Sequence, residues 1–197
     1  MKVLALELSS PVGSVAFCDE TGRRDLRAFP ADRRDSRFFY ENLSAIYQQF
    51  AAPNLIVVGL GPGSYAGIRI AIATALGLKS AAGARLLGLP SICAVDRAEY
   101  LFVGDARRNS FFFAYVKEGR CLEGPTLARA DEIASRRKER PQLPVIATQP
   151  LAPFADVLVE DPSALRLAEL AMAQTEGAEV PLEPIYLREP YITTPRK

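Results

Sequence analysis

The sequence predicts an α/β fold in which mixed sheets carry helices on their faces, and three observations support this. The chain begins with two short apolar runs joined by a tight polar turn, as in a β-hairpin. Apolar runs of strand length then alternate with helical patterns, which is typical of parallel strands. The second half repeats the order strand, turn, strand, strand. We therefore expect two lobes of similar plan, residues 1–99 and a smaller lobe, residues 100–197, with an extended tail.

The first lobe opens with strands predicted at residues 3–8, 13–18 and about 24–29, and the weak alternation of the third suits an edge strand. A helix from about Asp35 to Ala51 follows, with Asp35 or Asp32 as its N-cap. Apolar residues at spacings of four, three and four give this helix a core-facing stripe: Phe39, Leu43, Ile46 and Phe50. A second aromatic row is displaced by one residue: Tyr40 and Tyr47.

The centre of the first lobe is predicted at residues 55–60, an apolar run typical of a strand covered on both faces. A glycine-rich loop at residues 61–63 leads to Ser64, which suits the N-cap of a helix from Tyr65 to Ala82. We expect a strand at residues 86–89 and a further helix that begins near Ser91.

The second lobe is predicted from the same kinds of pattern. Its strands are expected at residues 101–105, 111–117, 121–127 and 145–147. Its helices are expected at residues 131–138 and 162–174, before a proline-rich end from Val180 and a loose tail at residues 193–197.

Composition narrows the class of protein. The 197 residues are 49% hydrophobic and 24% charged with a net charge of +1, which argues against a strong, non-specific nucleic-acid binder. The N-terminal apolar run stops at Glu7, too early for a signal peptide, and the apolar stretch from Ile68 to Leu78 is too short to span a bilayer. We expect a cytoplasmic protein with no membrane association.

The chain contains no histidine, and this excludes Ser-His and Cys-His nucleophile pairs within it. A Mg²⁺ site built from carboxylates alone remains open. The three scattered cysteines, Cys18, Cys93 and Cys121, fit buried thiols better than a zinc site. We predict no catalytic residue and no metal ligand in this chain.

The helix at residues 65–82 is apolar almost all round, although a surface helix needs a polar face. The sheet can bury one side. The other side can be covered by the first helix, by the second lobe or by another protein, and exposed apolar patches usually mark protein interfaces. The predicted partner interface comprises Phe38, Tyr40, Tyr47, Ile68, Arg69, Ala71, Ile72, Ala75 and Leu78.

The loop Gly61-Pro62-Gly63-Ser64 invites a phosphate-binding interpretation. It lacks the GK[ST] of a Walker loop, the spacing of GxGxxG and the GxSxG of a nucleophile elbow. A tight turn with an N-cap is one interpretation, and an anion at the helix N-terminus is the other. Candidate nucleotide or anion contacts are Ser9, Ser10, Gly63 and Ser64.

Charged residues allow two interpretations as well. The basic runs are either solvated faces or contacts to a tRNA backbone: Arg23, Arg24, Arg27, Arg33, Arg34 and Arg37, and Arg136, Arg137, Lys138 and Arg140.

We expect Asp105 to pair with Arg107. Arg69 lies near the N-terminus of its helix, where the helix dipole disfavours a cation. It therefore needs a carboxylate partner, in this chain or across an interface.

Several motifs together resemble the bacterial TsaB (YeaZ) family. The stretch from Gly61 to Ala81 is similar to that family's GPGSFTGLR signature, and VLALELSSPVGSVAF is similar to its first hairpin. Further matches follow in order along the chain: Asp35-Ser36-Arg37, Asp105-Ala106-Arg107 and Tyr186-Leu187-Arg188.

This resemblance implies a two-lobed actin/Hsp70/sugar-kinase (RNase H-like) fold. It implies a non-catalytic subunit that supports transfer of the threonylcarbamoyl group to N6 of adenosine 37 in tRNAs reading ANN codons. The implied partners are a TsaD-type transferase, bound through the first two helices, a TsaE-type ATPase and, through the complex, tRNA. A homodimer is implied when the chain is alone. The isolated chain would need no cofactor, and ATP or ADP would bind only at an interface of the complex.

The chain departs from the family pattern at three residues. Glu7 stands where nucleotide-binding relatives keep an aspartate, Asp35 stands for a histidine, and Ala66 stands for a threonine. The first departure and the lack of histidine weaken the case for nucleotide chemistry, and the other two departures indicate a divergent member. A small ATP-dependent kinase or ATPase of the same superfamily remains the alternative. A peptidase has no supporting residue spacing.

Overall fold

The computed structural model describes residues 1–31, 35–50, 52–173 and 182–188. A first mixed sheet has the strand order β3-β2-β1-β4-β5. Its strands are β1 Lys2–Glu7, β2 Val12–Asp19, β3 Arg24–Pro30, β4 Leu55–Gly59 and β5 Arg85–Leu89. β1 pairs antiparallel with β2 and β2 with β3, while β1, β4 and β5 are parallel. As predicted, β3 is an edge strand and β4 is wholly buried.

A second sheet repeats this plan with the order β8-β7-β6-β9-β10. Its strands are β6 Glu99–Asp105, β7 Phe111–Lys117, β8 Arg120–Ala128, β9 Val145–Ala147 and β10 Leu158–Val159. The antiparallel and parallel pairings fall in the same positions as in the first sheet. The prediction of an α/β fold with two lobes of the same plan is confirmed, and the division at residue 99 stays a prediction.

Among the described residues, four helices cover the sheets: α1 Arg37–Gln49, α2 Tyr65–Ala82, α3 Ala130–Glu139 and α4 Ala164–Ala173. Because side chains alternate along a strand, β1 sends Leu4 and Leu6 into a core with α1 and α2, and Val3 and Ala5 into a core with α4. α3 buries Ile133 against the second sheet. The helix that follows the second sheet in the chain thus packs on the first.

Several predicted elements need correction. The helix expected near Ser91 is only a short 3₁₀ turn, Ser91–Cys93. α1 begins at Arg37 with Ser36 at its N-cap position, and Asp35 instead accepts a hydrogen bond from the Arg37 backbone N–H at 2.8 Å. The two-residue strand β10 was missed because so short a strand has no period to detect.

Other predictions fall outside the described residues, namely those on Asp32, Arg33, Arg34, Ala51, Gln174, Val180 and the tail at residues 193–197. Within the described part of the chain, no helix combines the length and hydropathy needed to cross a bilayer.

Candidate functional site

α1 and α2 each expose two large apolar side chains. We call this the α1–α2 surface and define it by Phe38, Tyr40, Tyr65 and Leu76, which are 41%, 48%, 57% and 49% exposed. The Tyr40 hydroxyl lies 3.4 Å from the Thr74 hydroxyl, which is a side-chain contact between the two helices. Large apolar side chains exposed together on adjacent elements are typical of a protein interface.

The structure divides the predicted interface residues into three groups. Phe38, Tyr40 and Arg69 are exposed as expected. Tyr47 and Leu78 are partly buried against the core of the first lobe. The remaining four are buried in that core, so the prediction that a partner contacts them is wrong: Ile68, Ala71, Ile72 and Ala75.

The error has a physical cause. α2 is apolar on both faces, and periodicity alone cannot say which face meets the sheet. The sheet takes the row containing Ala71 and Ala75, which leaves Tyr65 and Leu76, absent from the prediction, on the outside. Ala73 and Gly77 are exposed between them.

The described residues of the second lobe leave Tyr65 and Leu76 exposed, so they do not supply the cover that the sequence left open. α2 packs against β1, β4 and β5 of the first sheet. The contact it receives from later in the chain is at its N-terminal end, where the Tyr186 ring lies 5.5 Å from the Tyr65 ring, centroid to centroid.

Tyr186 belongs to residues 182–188, which we call the C-terminal strap because they link the two lobes. Leu182 packs on the core beneath α2, and the Ile185 N–H donates to the Leu60 carbonyl at 2.9 Å. Leu187 packs on a cluster of the second lobe, and Arg188 donates to the Arg107 carbonyl at 3.4 Å.

An inter-lobe cleft of about 400 Å³ opens behind the strap. All four predicted nucleotide or anion contacts line it: Ser9, Ser10, Gly63 and Ser64. The opposite wall carries Asp105, Arg107 and Arg188. The Asp105 carboxylate accepts from the Arg107 backbone N–H at 2.6 Å, so the expected pairing is made to the backbone rather than to the guanidinium.

The glycine-rich loop is tied down on both sides by hydrogen bonds within the chain. The Gly61 N–H donates to the Ser91 hydroxyl at 2.9 Å, and the Ser64 N–H donates to the Ser9 carbonyl at 2.7 Å. Ser64 caps α2 as predicted, because its hydroxyl accepts from the Gly67 N–H at 3.3 Å. Two of the donors that would hold an anion are therefore occupied, which favours the turn-and-cap interpretation over a phosphate cradle.

Glu7, at the end of β1, is fully buried. One carboxyl oxygen accepts from the Ser9 N–H at 2.7 Å, while the other has no hydrogen-bond partner and lies where a Cβ on Gly59 would clash with it. Burial, only partly offset by hydrogen bonding from Ser9, raises the pKa of this carboxyl. A carboxyl directed into the protein and biased toward its neutral form does not fit a metal ligand facing the cleft.

No group of three or more histidine, cysteine or acidic residues is arranged to hold a metal within the described residues. The cysteines are free thiols, with Cys18 and Cys93 buried, and burial raises the pKa of Cys93 to about 12.

The basic runs form ion pairs within the chain. In the first, Arg23 pairs with Asp19, Arg24 with Glu169 and Arg27 with Asp25. In the second, Arg136 and Arg140 pair with Glu123, and Arg137 pairs with Asp156. These pairs favour the interpretation as solvated faces, since a phosphate contact would have to displace them.

Comparison with known proteins places this geometry in a family. Residues 40–149 match the model of the family described as TsaD: tRNA N6-adenosine threonylcarbamoyltransferase. Uncharacterized proteins of Mycobacterium bovis and Mycobacterium tuberculosis are 31% identical over 139 residues, which cover 68% of this chain. The match spans 64% of the length of those relatives.

Two solved structures share the fold over nearly the whole chain. One, described as an uncharacterized protein from Pseudomonas aeruginosa with similarity to the peptidase YeaZ, has a TM-score of 0.76 and 23% identity, covering 95% of this chain and 99% of its own. The other, YeaZ from Pseudomonas aeruginosa, has a TM-score of 0.71 and 23% identity, covering 94% and 100%. The resemblance to YeaZ proteins inferred from the motifs thus extends to the complete fold.

Proposed function

The chain belongs to the TsaD family of tRNA N6-adenosine threonylcarbamoyltransferase proteins, and we propose that it takes part in forming N6-threonylcarbamoyladenosine at position 37 of tRNA. In this proposal it is a non-catalytic subunit of the cytoplasm that activates a TsaD-type transferase by dimerising with it. A TsaE-type ATPase joins the complex, and tRNA is contacted through the complex. When alone, the chain pairs with itself.

The α1–α2 surface is the observation that carries this proposal. Phe38, Tyr40, Tyr65 and Leu76 are all about half exposed, and the two helices that carry them contact each other through Tyr40 and Thr74. Burying about 600 Å² of apolar surface would contribute on the order of 15 kcal/mol before the costs of association. A helix pair with a rigid aromatic face is therefore well suited to hold a second protein.

The environment of Glu7 favours an accessory role for this chain over a catalytic one. In this chain the carboxyl at the end of β1 points into the protein, against Gly59, and burial raises its pKa. It is therefore poorly placed to position a metal–phosphate group in the cleft. The cleft residues can still hold an anion through the serines of the first lobe and Arg188 of the strap.

The test is association with the TsaD-type transferase of the same organism. Purified chain and transferase should elute together from a sizing column at micromolar concentration. Leu76→Glu should weaken the pair at least tenfold, because it places a charge in an apolar contact. Leu76 is the appropriate position because its side chain is exposed, whereas its neighbour Ala75 is buried.

Leu122→Glu is the matched control. Leu122 is 57% exposed and lies on β8 in the second sheet, away from the α1–α2 surface. The proposal predicts no change in affinity for this variant. Separate elution of the wild-type proteins would remove the proposed role, and equal binding by the Leu76→Glu variant would remove this surface from the interface.

A nucleotide-dependent enzyme is the second candidate, and the inter-lobe cleft is the observation that favours it. Calorimetry with ATP and Mg²⁺ separates the two. Tight binding with turnover by the isolated chain would support a kinase or ATPase. Under the first proposal ATP or ADP binds only when the partner contributes to the site, and the isolated chain gives no turnover.

A further inference from the structure

Arg69 is the cation of the α1–α2 surface, and two tyrosines hold its side chain in place. Its guanidinium donates to the Tyr65 hydroxyl at 2.9 Å and lies 5.2 Å from the centroid of the Tyr65 ring. Hydrogen bonding with the Tyr186 hydroxyl, helped by both tyrosines' electrostatic effect, raises the pKa of the guanidinium. The two rings are themselves 5.5 Å apart. The cluster therefore joins α2 to the C-terminal strap.

The partners of Arg69 differ from those of the other helical arginines. Each of the others forms an ion pair with a carboxylate: Arg37 with Asp35, Arg136 with Glu123, Arg137 with Asp156 and Arg166 with Glu169. Among the described residues, the Arg69 guanidinium donates its side-chain hydrogen bonds to tyrosine hydroxyls and not to a carboxylate. Its charge is ordered but not neutralised.

The position of Arg69 in its helix is a second reason to expect an anionic partner. Arg69 lies in the second turn of α2, close to the helix N-terminus, where the helix dipole disfavours a positive charge. A guanidinium presents its N–H groups in a planar fork that matches a carboxylate, and the hydrogen bond to the Tyr65 hydroxyl restrains that fork before binding. Ordered arginine beside exposed aromatic rings is also the composition of binding hot spots.

We propose that Arg69, held between Tyr65 and Tyr186, receives a carboxylate of the partner transferase when that protein covers the α1–α2 surface. The inference rests on the proposed function and adds to it the chemistry of the contact. Charge complementarity selects the occupant, which is an aspartate or glutamate side chain flanked by apolar residues that meet Leu76 and Tyr40. Because Tyr186 belongs to the strap, the docking site is complete only while the strap is in place.

The test measures affinity for the purified TsaD-type transferase as a function of salt. Arg69→Gln should lower the affinity by about tenfold or more and should also reduce its salt dependence, since one ion pair is lost. Arg69→Lys keeps the charge but loses the planar fork, so it should fall between Arg69→Gln and wild type. Tyr186→Phe, which removes one hydroxyl, should cause a smaller loss.

Arg85→Gln is the matched control, since Arg85 is an exposed arginine at the start of β5, beyond the far end of α2. It should leave both affinity and salt dependence unchanged. Melting curves of all variants establish that they are folded. Equal affinities for the Arg69→Gln and Arg85→Gln variants, or a loss in Arg69→Gln with unchanged salt dependence, would overturn the inference. Failure of the wild-type proteins to associate would instead remove the proposed function itself.

Discussion

At the scale of single residues, the burial of Glu7 is a feature that the sequence did not indicate. In the sequence, Glu7 stands at the end of the first strand, a position from which a side chain can contact a ligand. In the structure the same carboxyl is fully buried, with one oxygen bonded to the Ser9 N–H and the other unpartnered beside Gly59. A buried carboxyl of this kind costs free energy when it is ionised, so its burial links protonation to folding.

Glu7→Gln tests this link through the pH dependence of stability. The pKa of Glu7 is raised in the folded protein, so its contribution to stability is fully present below the unfolded value of 4.5. That contribution is lost as the pH rises through the folded pKa. A glutamine at this position stays neutral, so the variant does not lose this stability as the pH rises. Urea unfolding at several pH values should therefore show the variant gaining on wild type as the pH rises above 4.5, with the difference levelling off above the folded pKa.

Glu41→Gln is the control for this measurement, because Glu41 is exposed on α1. Its unfolding free energy should follow that of wild type at every pH. Parallel curves for the Glu7→Gln variant and wild type would mean that Glu7 is ionised at no cost in the fold.

At the scale of elements, α2 has a different constraint on each face. On the inner side, Gly67 lies so close to β1 that a Cβ would clash with the Leu8 carbonyl oxygen. On the outer side, Gly77 has open space around it. Together with the Ser64 cap, the contact at Gly67 sets the angle at which α2 leaves the glycine-rich loop and presents Leu76 to solvent.

The two glycines of α2 provide an internal comparison. Gly77→Ala should raise the free energy of unfolding by up to about 1 kcal/mol, since alanine has the higher helix propensity and meets no obstacle. Gly67→Ala gains the same propensity but must displace the backbone of Leu8, so it should destabilise the fold. Chemical denaturation of both variants gives the answer, and a stabilised Gly67→Ala variant would contradict the close packing described for this joint.

At the scale of the whole molecule, the two lobes are joined by chain segments that cross between them. α4 follows the second sheet but packs on the first, where the Ala164 N–H donates to the Ser14 hydroxyl at 2.9 Å. The C-terminal strap crosses back again and ends on the β6–β7 turn at Arg107. A division at residue 99 therefore describes the order of the sheets along the chain better than it describes independent folding units.

Leu167→Ala tests whether the first lobe depends on α4 for its stability. Leu167 is fully buried on α4 and packs among Val3, Ala5 and Val57 of the first sheet. Its truncation should cost about 2–5 kcal/mol, with faster amide hydrogen exchange in β1 and β4. Leu165→Ala, at a partly buried position of the same helix, should cost less. An unchanged exchange rate in the first sheet would show that this lobe is stable without α4.

The sequence by itself determined the order and type of most elements, because periodicity, caps and turn residues are local properties. The bounds of α2 were predicted residue for residue, with Ser64 as its cap, and β4 was recognised as central from its unbroken apolar run. The motifs around residues 61–81 also indicated the family, since they combine a loop and a helix in a specific order.

Only the tertiary structure decided which face of α2 is free and which way Glu7 points. Both faces of the helix are apolar, so the local pattern does not say which face the sheet covers. In the structure, Ala71 and Ala75 are buried and Leu76 is exposed. Contacts between distant parts of the chain decided the rest. Tyr186 reaches Arg69 across more than a hundred residues, and no local pattern encodes that meeting.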